Sequence, residues 1–206
     1  MNKSNYNDNV FINCPFDKDY KPLFDAMVFA VFDCGFIARC AKEEDGAGEI
    51  RIVNIYSIIA DCRYGIHDIS RTELDFDTNL PRFNMPLELG IFLGAKKFSD
   101  KQHKKKTCII LDKEPYRYQK FISDISGQDI KAHQNKPQNV IKSVRDTLSN
   151  ASHRTTIPGG EEIWKRYQDF KNDLPAMCKD CRLNAEELTF NDYAWLVSEW
   201  LKVQSD

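Results

Sequence analysis

Residues 84–97 read Asn84-Met85-Pro86-Leu87-Glu88-Leu89-Gly90-Ile91-Phe92-Leu93-Gly94-Ala95-Lys96-Lys97, and how this stretch is read decides how the rest of the chain is placed. Asn84 is a favoured N-cap type. Pro86 suits a first turn, where its missing N–H would be unpaired in any case. Leu87, Ile91 and Ala95 recur four apart, which predicts a helix with those residues on its apolar face and Leu89 and Phe92 nearby. Lys96 and Lys97 fall in the last turn, where cations suit the helix dipole. Glu88 is the odd residue, because its immediate neighbours are apolar. A carboxylate in the first turn is either a dipole partner in water or a group held in a pocket for chemistry.

Tyr64-Gly65-Ile66-His67-Asp68-Ile69 reads as the strand before this helix, joined to it by a polar loop at 70–83. A loop of that length inside a domain usually has a task. Further back, Val10-Phe11-Ile12-Asn13-Cys14 fits a strand buried on both faces, and residues 1–8 are polar and loosely attached. A helix at about 20–34, a strand at 36–41 and an acidic loop at 42–49 follow. The next helix, about 50–62, places Ile52, Ile55, Tyr56 and Ile59 inward.

Beyond the organising helix comes a basic turn with Lys101, Lys104, Lys105 and Lys106, which reads as a solvated surface. Thr107-Cys108-Ile109-Ile110-Leu111 is a strand ending at Asp112. A helical segment at 117–125, an edge strand at 129–133 and a helix at 137–148 complete an α/β domain at 9–150. After a linker, two helices at about 161–174 and 185–202 form a C-terminal helical extension, 158–203. It holds all three tryptophans, Trp164, Trp195 and Trp200.

Five strands alternating with helices predict an α/β, flavodoxin-like doubly wound parallel five-stranded sheet in the order 2-1-3-4-5. Ligands of such sheets bind outside the carboxyl ends of the strands, at the switch point between the first and third. That rule gathers Asn13, Phe16, His67, Asp68, Arg71, Phe83, Asn84, Glu88 and Asp112 at one rim. Three carboxylates beside a helix N-terminus make an acid–base site. Phe16 or Phe83 is placed to stack on an aromatic ligand, and Arg71 either binds phosphate or pairs with Glu73 or Asp75. His67 is read equally well as a packed core residue.

The chain has 206 residues, 29% of them charged, with a net charge of −2, so nothing pulls it globally toward nucleic acid or anionic lipid. The lysines at 101–106 lack the interleaved aromatics of a nucleic-acid surface. No apolar run approaches the roughly 18–20 residues needed to span a membrane. Residues 1–9 lack the apolar core of a signal peptide. Cys14, Cys34, Cys40, Cys62 and Cys108 lie in or beside apolar segments and read as reduced thiols of a cytoplasmic protein. Asp17 and Asp19 suit a helix N-terminus better than Mg²⁺, and Cys178 and Cys181 have no second ligand pair nearby for zinc. No metal is expected.

At Ile66-His67-Asp68-Ile69-Ser70 and Asn84-Met85-Pro86-Leu87-Glu88-Leu89-Gly90 the chain resembles the nucleoside 2-deoxyribosyltransferase family and, more distantly, the TIR domains that cleave NAD. Gly94, Ala95 and Lys96 continue the match, and Val10 to Phe16 is similar to the family's first strand and loop, so the resemblance spans about 9–135. It implies that Glu88 attacks or stabilises C1′ of a ribosyl ring as the base leaves. It further implies that Asp68 orients or protonates the base or holds Glu88, and that Asn84 binds a sugar hydroxyl. The residue type fits the chemistry, because a carboxylate stabilises or captures an oxocarbenium-like centre. The expectation is an N-glycosidase or transferase acting on a nucleoside, nucleotide or NAD-like substrate, with no cofactor, working as a homo-oligomer. The rival is a nucleotide- or signal-binding module whose helical tail docks a partner. The 70–83 loop is longer than in small transferases, and the C-terminal helices have no recognised counterpart.

Overall fold

Val10, Phe11 and Ile12 leave no polar side chain for water, and they form the middle of β1 (Asn9–Asn13), every residue of which is buried. The computed structural model describes residues 5–43, 50–74 and 79–204. The remaining strands are β2 (Ile37–Cys40), β3 (Tyr64–Asp68), β4 (Thr107–Asp112) and β5 (Ile130–Ala132). All neighbours pair in parallel, in the order β2-β1-β3-β4-β5, as the alternating pattern predicts. β1 and β3 lie side by side with Ile12 opposite Ile66 and Asn13 opposite His67.

Side chains alternate across the sheet, and each face has its own cover. Val10, Ile12, Ile66, Ile109 and Leu111 face α1 (Lys21–Asp33), α4 (Pro137–Ser152), α5 (Gly160–Asp180) and α6 (Phe190–Val203). Phe11 faces α2 (Arg51–Asp61) and α3 (Asn84–Phe98), where Ile55, Ile58, Ile59 and Phe92 pack on it. The C-terminal helices share the core of the first face: Phe29 of α1 meets Tyr167, Phe170 and Trp200 at ring-centroid distances of 5.3, 5.4 and 5.9 Å.

Several expectations give way. The organising helix buries Met85, Glu88, Leu89 and Phe92, an i, i+3, i+4, i+7 stripe, while Leu87 is 56% exposed and Ile91 and Ala95 are half-buried. The larger contiguous stripe wins, and it contains the carboxylate. On α2, Ile58 is buried and Tyr56 is 50% exposed, because Tyr56 falls between the two buried turns. The segment at 117–125 is two 3-10 turns, Arg117–Lys120 and Ser123–Ile125. α4 extends to Ser152, which shortens the linker. α5 runs through Pro175 to Asp180. Pro175 lies on the exposed side, where water can take the carbonyl it leaves unpaired.

Residues 5–8 are tied down rather than loose. Arg63 N donates to Tyr6 O at 3.0 Å and Ile37 N to Asp8 O at 2.9 Å, and Arg154 pairs with Asp8. Lys106 is no solvated lysine. It is buried, and its Nζ donates to the carbonyls of Ile59 (2.6 Å) and Cys62 at the end of α2 and lies 4.8 Å from the Phe92 ring centre. Burial pulls its ammonium down to about 8. The acidic part of the loop at 44–49, and Asp75 and Phe76 of the 70–83 loop, lie outside the described residues. All seven cysteines are free. Among the described residues, no helix is long and apolar enough to cross a membrane, and no cluster of side chains is set to hold a metal.

Candidate active site

Parity along β3 separates the two carboxylates that the sequence placed together. Ile66 faces α1, so His67 faces α3 and Asp68 faces α1 again. Along β1, Ile12 faces α1 and Asn13 therefore faces α3. Glu88 lies on the α3 side. Asn13, His67 and Glu88 share one face of the sheet, and Asp68 is on the other.

Asn13 fixes α3 to the sheet. Its Nδ2 donates to Met85 O at 2.9 Å and to His67 Nδ1 at 3.0 Å. With Nδ1 accepting, His67 carries its proton on Nε2. Burial beside Phe11 and Phe92, with the Lys106 ammonium also on that side, pulls His67 down to about 3, so it stays neutral. It has no exposed surface. The expectation that His67 contacts substrate is corrected: it is a core residue that positions Asn13.

Met85 anchors the first turn, and Glu88, one turn on, faces the rim. Glu88 lines a cleft of about 390 Å³ with Asn13, Cys14, Phe16, Asp17, Arg51, Arg82, Asn84 and Met85. Glu88 is only 6% exposed. Burial pushes its carboxyl up to about 7, against the pull of Arg51. Among the described residues no hydrogen bond engages that carboxyl group. Asn84 is not the N-cap. Phe83 holds that position without a side-chain bond, and Asn84 is the first helical residue, exposed at the cleft. The helix therefore has no acidic residue in its first turn, and the simple dipole reading of Glu88 falls away. Cys14 is kept protonated by burial, far above the usual thiol range, and does not compete as a nucleophile.

Asp68 is fully buried and fully engaged. Tyr20 Oη donates to its Oδ2 at 2.5 Å, Ser70 N donates to Oδ1 at 2.8 Å, and His133 Nε2 lies 3.1 Å from Oδ2. Asn135 N donates to His133 Nδ1 at 2.9 Å, which leaves the His133 proton on the nitrogen facing Asp68. Asp68 thus ties the start of α1 to the end of β5. It does not reach the Glu88 cleft, and its expected role as the partner of Glu88 is corrected to a positioning one. Asp112 is also buried and is held by Arg117 Nη2 at 2.7 Å. Arg117 further grips the carbonyls of Ile69 and Ser70, both at 2.9 Å, and so fixes where the 70–83 loop departs.

Arg71 does not pair with Glu73 and does not itself line the Glu88 cleft. Its Nη2 lies 3.5 Å from Asp17 Oδ1, while Glu73 pairs with Lys113. Arg71 lines a separate polar cleft of about 310 Å³ with Asp19, Tyr20, Ser70, Glu73, Lys113 and Asn135. Arg82 Nη1 lies 3.5 Å from Asp17 Oδ2, so Asp17 stands as a ridge between the two clefts. Phe83 is 67% exposed and does not line the Glu88 cleft, and Phe16 does.

Reasoning from sequence missed Arg51, Arg82 and His133. Arg51 opens the helix after β2, and His133 follows β5 directly, so the carboxyl-end rule applied to every strand would have found both. No family model, curated protein or solved structure matches the chain.

Proposed function

We propose that the Glu88 cleft cleaves or transfers the N-glycosidic bond of a nucleoside, nucleotide or related dinucleotide. One observation carries this reading: a nearly buried carboxyl group, raised to about 7, left unbonded by the described residues and facing a cleft beside Asn84 and Phe16. An exposed carboxylate would be screened, and a structural one would be bonded. The resemblance to nucleoside 2-deoxyribosyltransferases agrees with it.

In this reading the C1′–N bond breaks and its electron pair leaves with the base, which takes up a proton. Ionised Glu88 stabilises the positive C1′ or bonds to it through one oxygen. Water or an acceptor base then adds at C1′ and loses a proton. Phe16 stacks on the base and Asn84 holds a sugar hydroxyl. The chemistry needs no metal. A homo-oligomer, with a neighbouring copy closing the cleft, would exclude water and strengthen the electrostatics. Incubation with a panel of nucleosides, nucleotides and NAD, followed by chromatography for free base, tests the proposal. Release that Glu88→Gln abolishes supports it, and release that Glu88→Gln leaves intact sinks it.

A second reading is favoured by the engagement of Asp68. With that carboxylate tied up on the other face, no obvious acid stands ready for the leaving base, which suits a module that binds a nucleotide without turnover. Tight binding with no base release would select it.

A further inference from the structure

Across Phe16 from the Glu88 cleft lies a smaller groove that the sequence did not signal. Its walls are Phe16, Phe24, Phe190 and Tyr193, and it holds about 120 Å³. Pro15, Phe16 and Asp17 line both spaces, so the two lie side by side. The far wall comes from the start of α6. Thr189, its N-cap, is closed by a capping box with Asp192 and so is a fixed edge rather than a fraying end.

The aromatic walls are already packed on one another. Phe24 meets Phe16 edge-on at 5.3 Å and Phe190 at 6.1 Å. Ammonium groups occupy their outer faces: Lys42 Nζ lies 4.7 Å from the Phe16 ring centre, and Lys21 Nζ 5.3 Å from that of Tyr193. Lys18 is a third lysine in the lining. An anionic guest in the groove meets those ammonium groups. The charge balance agrees. Lys18, Lys21 and Lys42 stand against Asp17 and Asp25. Asp25 is bonded to Lys21 at 2.6 Å, and Asp17 lies between two arginines. Among the described residues Lys18 and Lys42 are thus left as its surplus cations, in a chain whose net charge is −2.

We propose that this groove is an anion subsite that receives the phosphate of a substrate whose ribosyl group sits at Glu88. The substrate class is then a phosphorylated nucleoside rather than a free one. The inference rests on the glycosidic reading only for the position of the ribosyl group.

The test is isothermal titration of the full chain with common nucleosides, each beside its 5′-monophosphate and 5′-diphosphate, together with chromatography for free base. With charge-assisted hydrogen bonds to the lysines, a phosphorylated probe should bind at least about tenfold tighter than its nucleoside. That preference should weaken with added salt. In a Lys18→Ala/Lys42→Ala double variant the ratio should collapse toward one, and Lys42→Arg should keep most of it. Equal affinity of the wild type for nucleoside and nucleotide overturns the subsite. So does a preference that survives the double variant, which would put the phosphate on Arg51 and Arg82. Lysine-dependent binding without base release from any probe keeps the subsite and rejects the glycosidic reading. Failure of every probe to bind rejects the subsite.

Discussion

Asn13 Nδ2 lies 3.0 Å from His67 Nδ1, and this contact sets the geometry of the Glu88 cleft. The same nitrogen bonds Met85 O, so one amide joins β1, β3 and the first turn of α3. His67 cannot turn away, because Phe11 and Phe92 pack on its ring at 5.7 and 4.9 Å. Its depressed proton affinity keeps it an acceptor at every physiological pH. Glu88 is thus aimed by a neutral hydrogen-bond chain that no titration near pH 7 disturbs.

Replacing Asn13 by Leu should therefore destabilise the fold by about 1–3 kcal/mol, because it leaves His67 Nδ1 buried without its donor and removes the tie to Met85 O. Urea denaturation measures this. A change under about half a kcal/mol would mean that the amide does not anchor α3.

Glu88 has a cost that its substitution should reveal. Its folded value of about 7 lies above its ordinary 4.5, so the folded state holds the proton more tightly. The stability this contributes is fully present below about 4.5 and is lost as the pH rises through about 7. Glu88→Gln removes that loss. At about 1.4 kcal/mol per pH unit between the two values, the variant should be more stable than wild type by about 3–4 kcal/mol at pH 8 and about equal at pH 4.5. Denaturation at both pH values decides it, and a stability difference that ignores pH would contradict the assigned environment.

The same titration predicts the pH profile of base release. Glu88 acts as its anion, so kcat/KM of the free enzyme should rise with pH along a single-proton limb with its midpoint near 7. A flat profile between pH 5.5 and 8.5 would exclude Glu88 as the ionising group.

Gly65 carries the site indirectly. A Cβ there would lie 2.7 Å from both His67 Nε2 and the Phe92 ring, closer than these atoms approach. Gly65→Ala should cost about 1–3 kcal/mol by overpacking. It should also weaken ligand binding by displacing His67 and, through it, Asn13. Thermal melting beside titration checks both, and full stability with normal binding would show that the ring stack yields.

The proposed oligomer has a testable surface. Leu74, Leu80, Phe83 and Leu87 are exposed around the start of α3. Light scattering should give a particle larger than 23.9 kDa at micromolar concentration, and Leu87→Glu should shift it toward monomer. A fully active particle of 23.9 kDa would refute a shared site.

Much of the fold was legible because strands and helices carry different periods. The strand order followed from alternating elements and short connections, and the apolar runs at 10–12 and 107–111 fit strands covered on both faces. The centre of the apolar face of α3 was misplaced: Leu89 and Phe92 are buried and Ile91 and Ala95 pack beside them, but Leu87 is exposed, and only tertiary packing chooses between stripes so alike. The separation of Asp68 from Glu88 was legible in principle. It follows from the parity of Ile66, His67 and Asp68 once α1 and α3 are assigned to opposite faces. The ammonium-faced groove was not legible, since Lys18 and Lys42 meet Phe190 and Tyr193 only after the chain has closed on itself.

The rings of Tyr167, Phe170 and Trp200 cover Phe29, which stands well over a hundred residues earlier. During synthesis, α1 emerges long before its outer cover exists. At roughly 5–20 residues per second, the interval between them is on the order of ten seconds or more. Throughout that time the first half of the protein has an apolar face turned to water or to a chaperone. Synthesis of α6 thus closes that face, and any pause in translation before α6 prolongs the window in which the chain can aggregate.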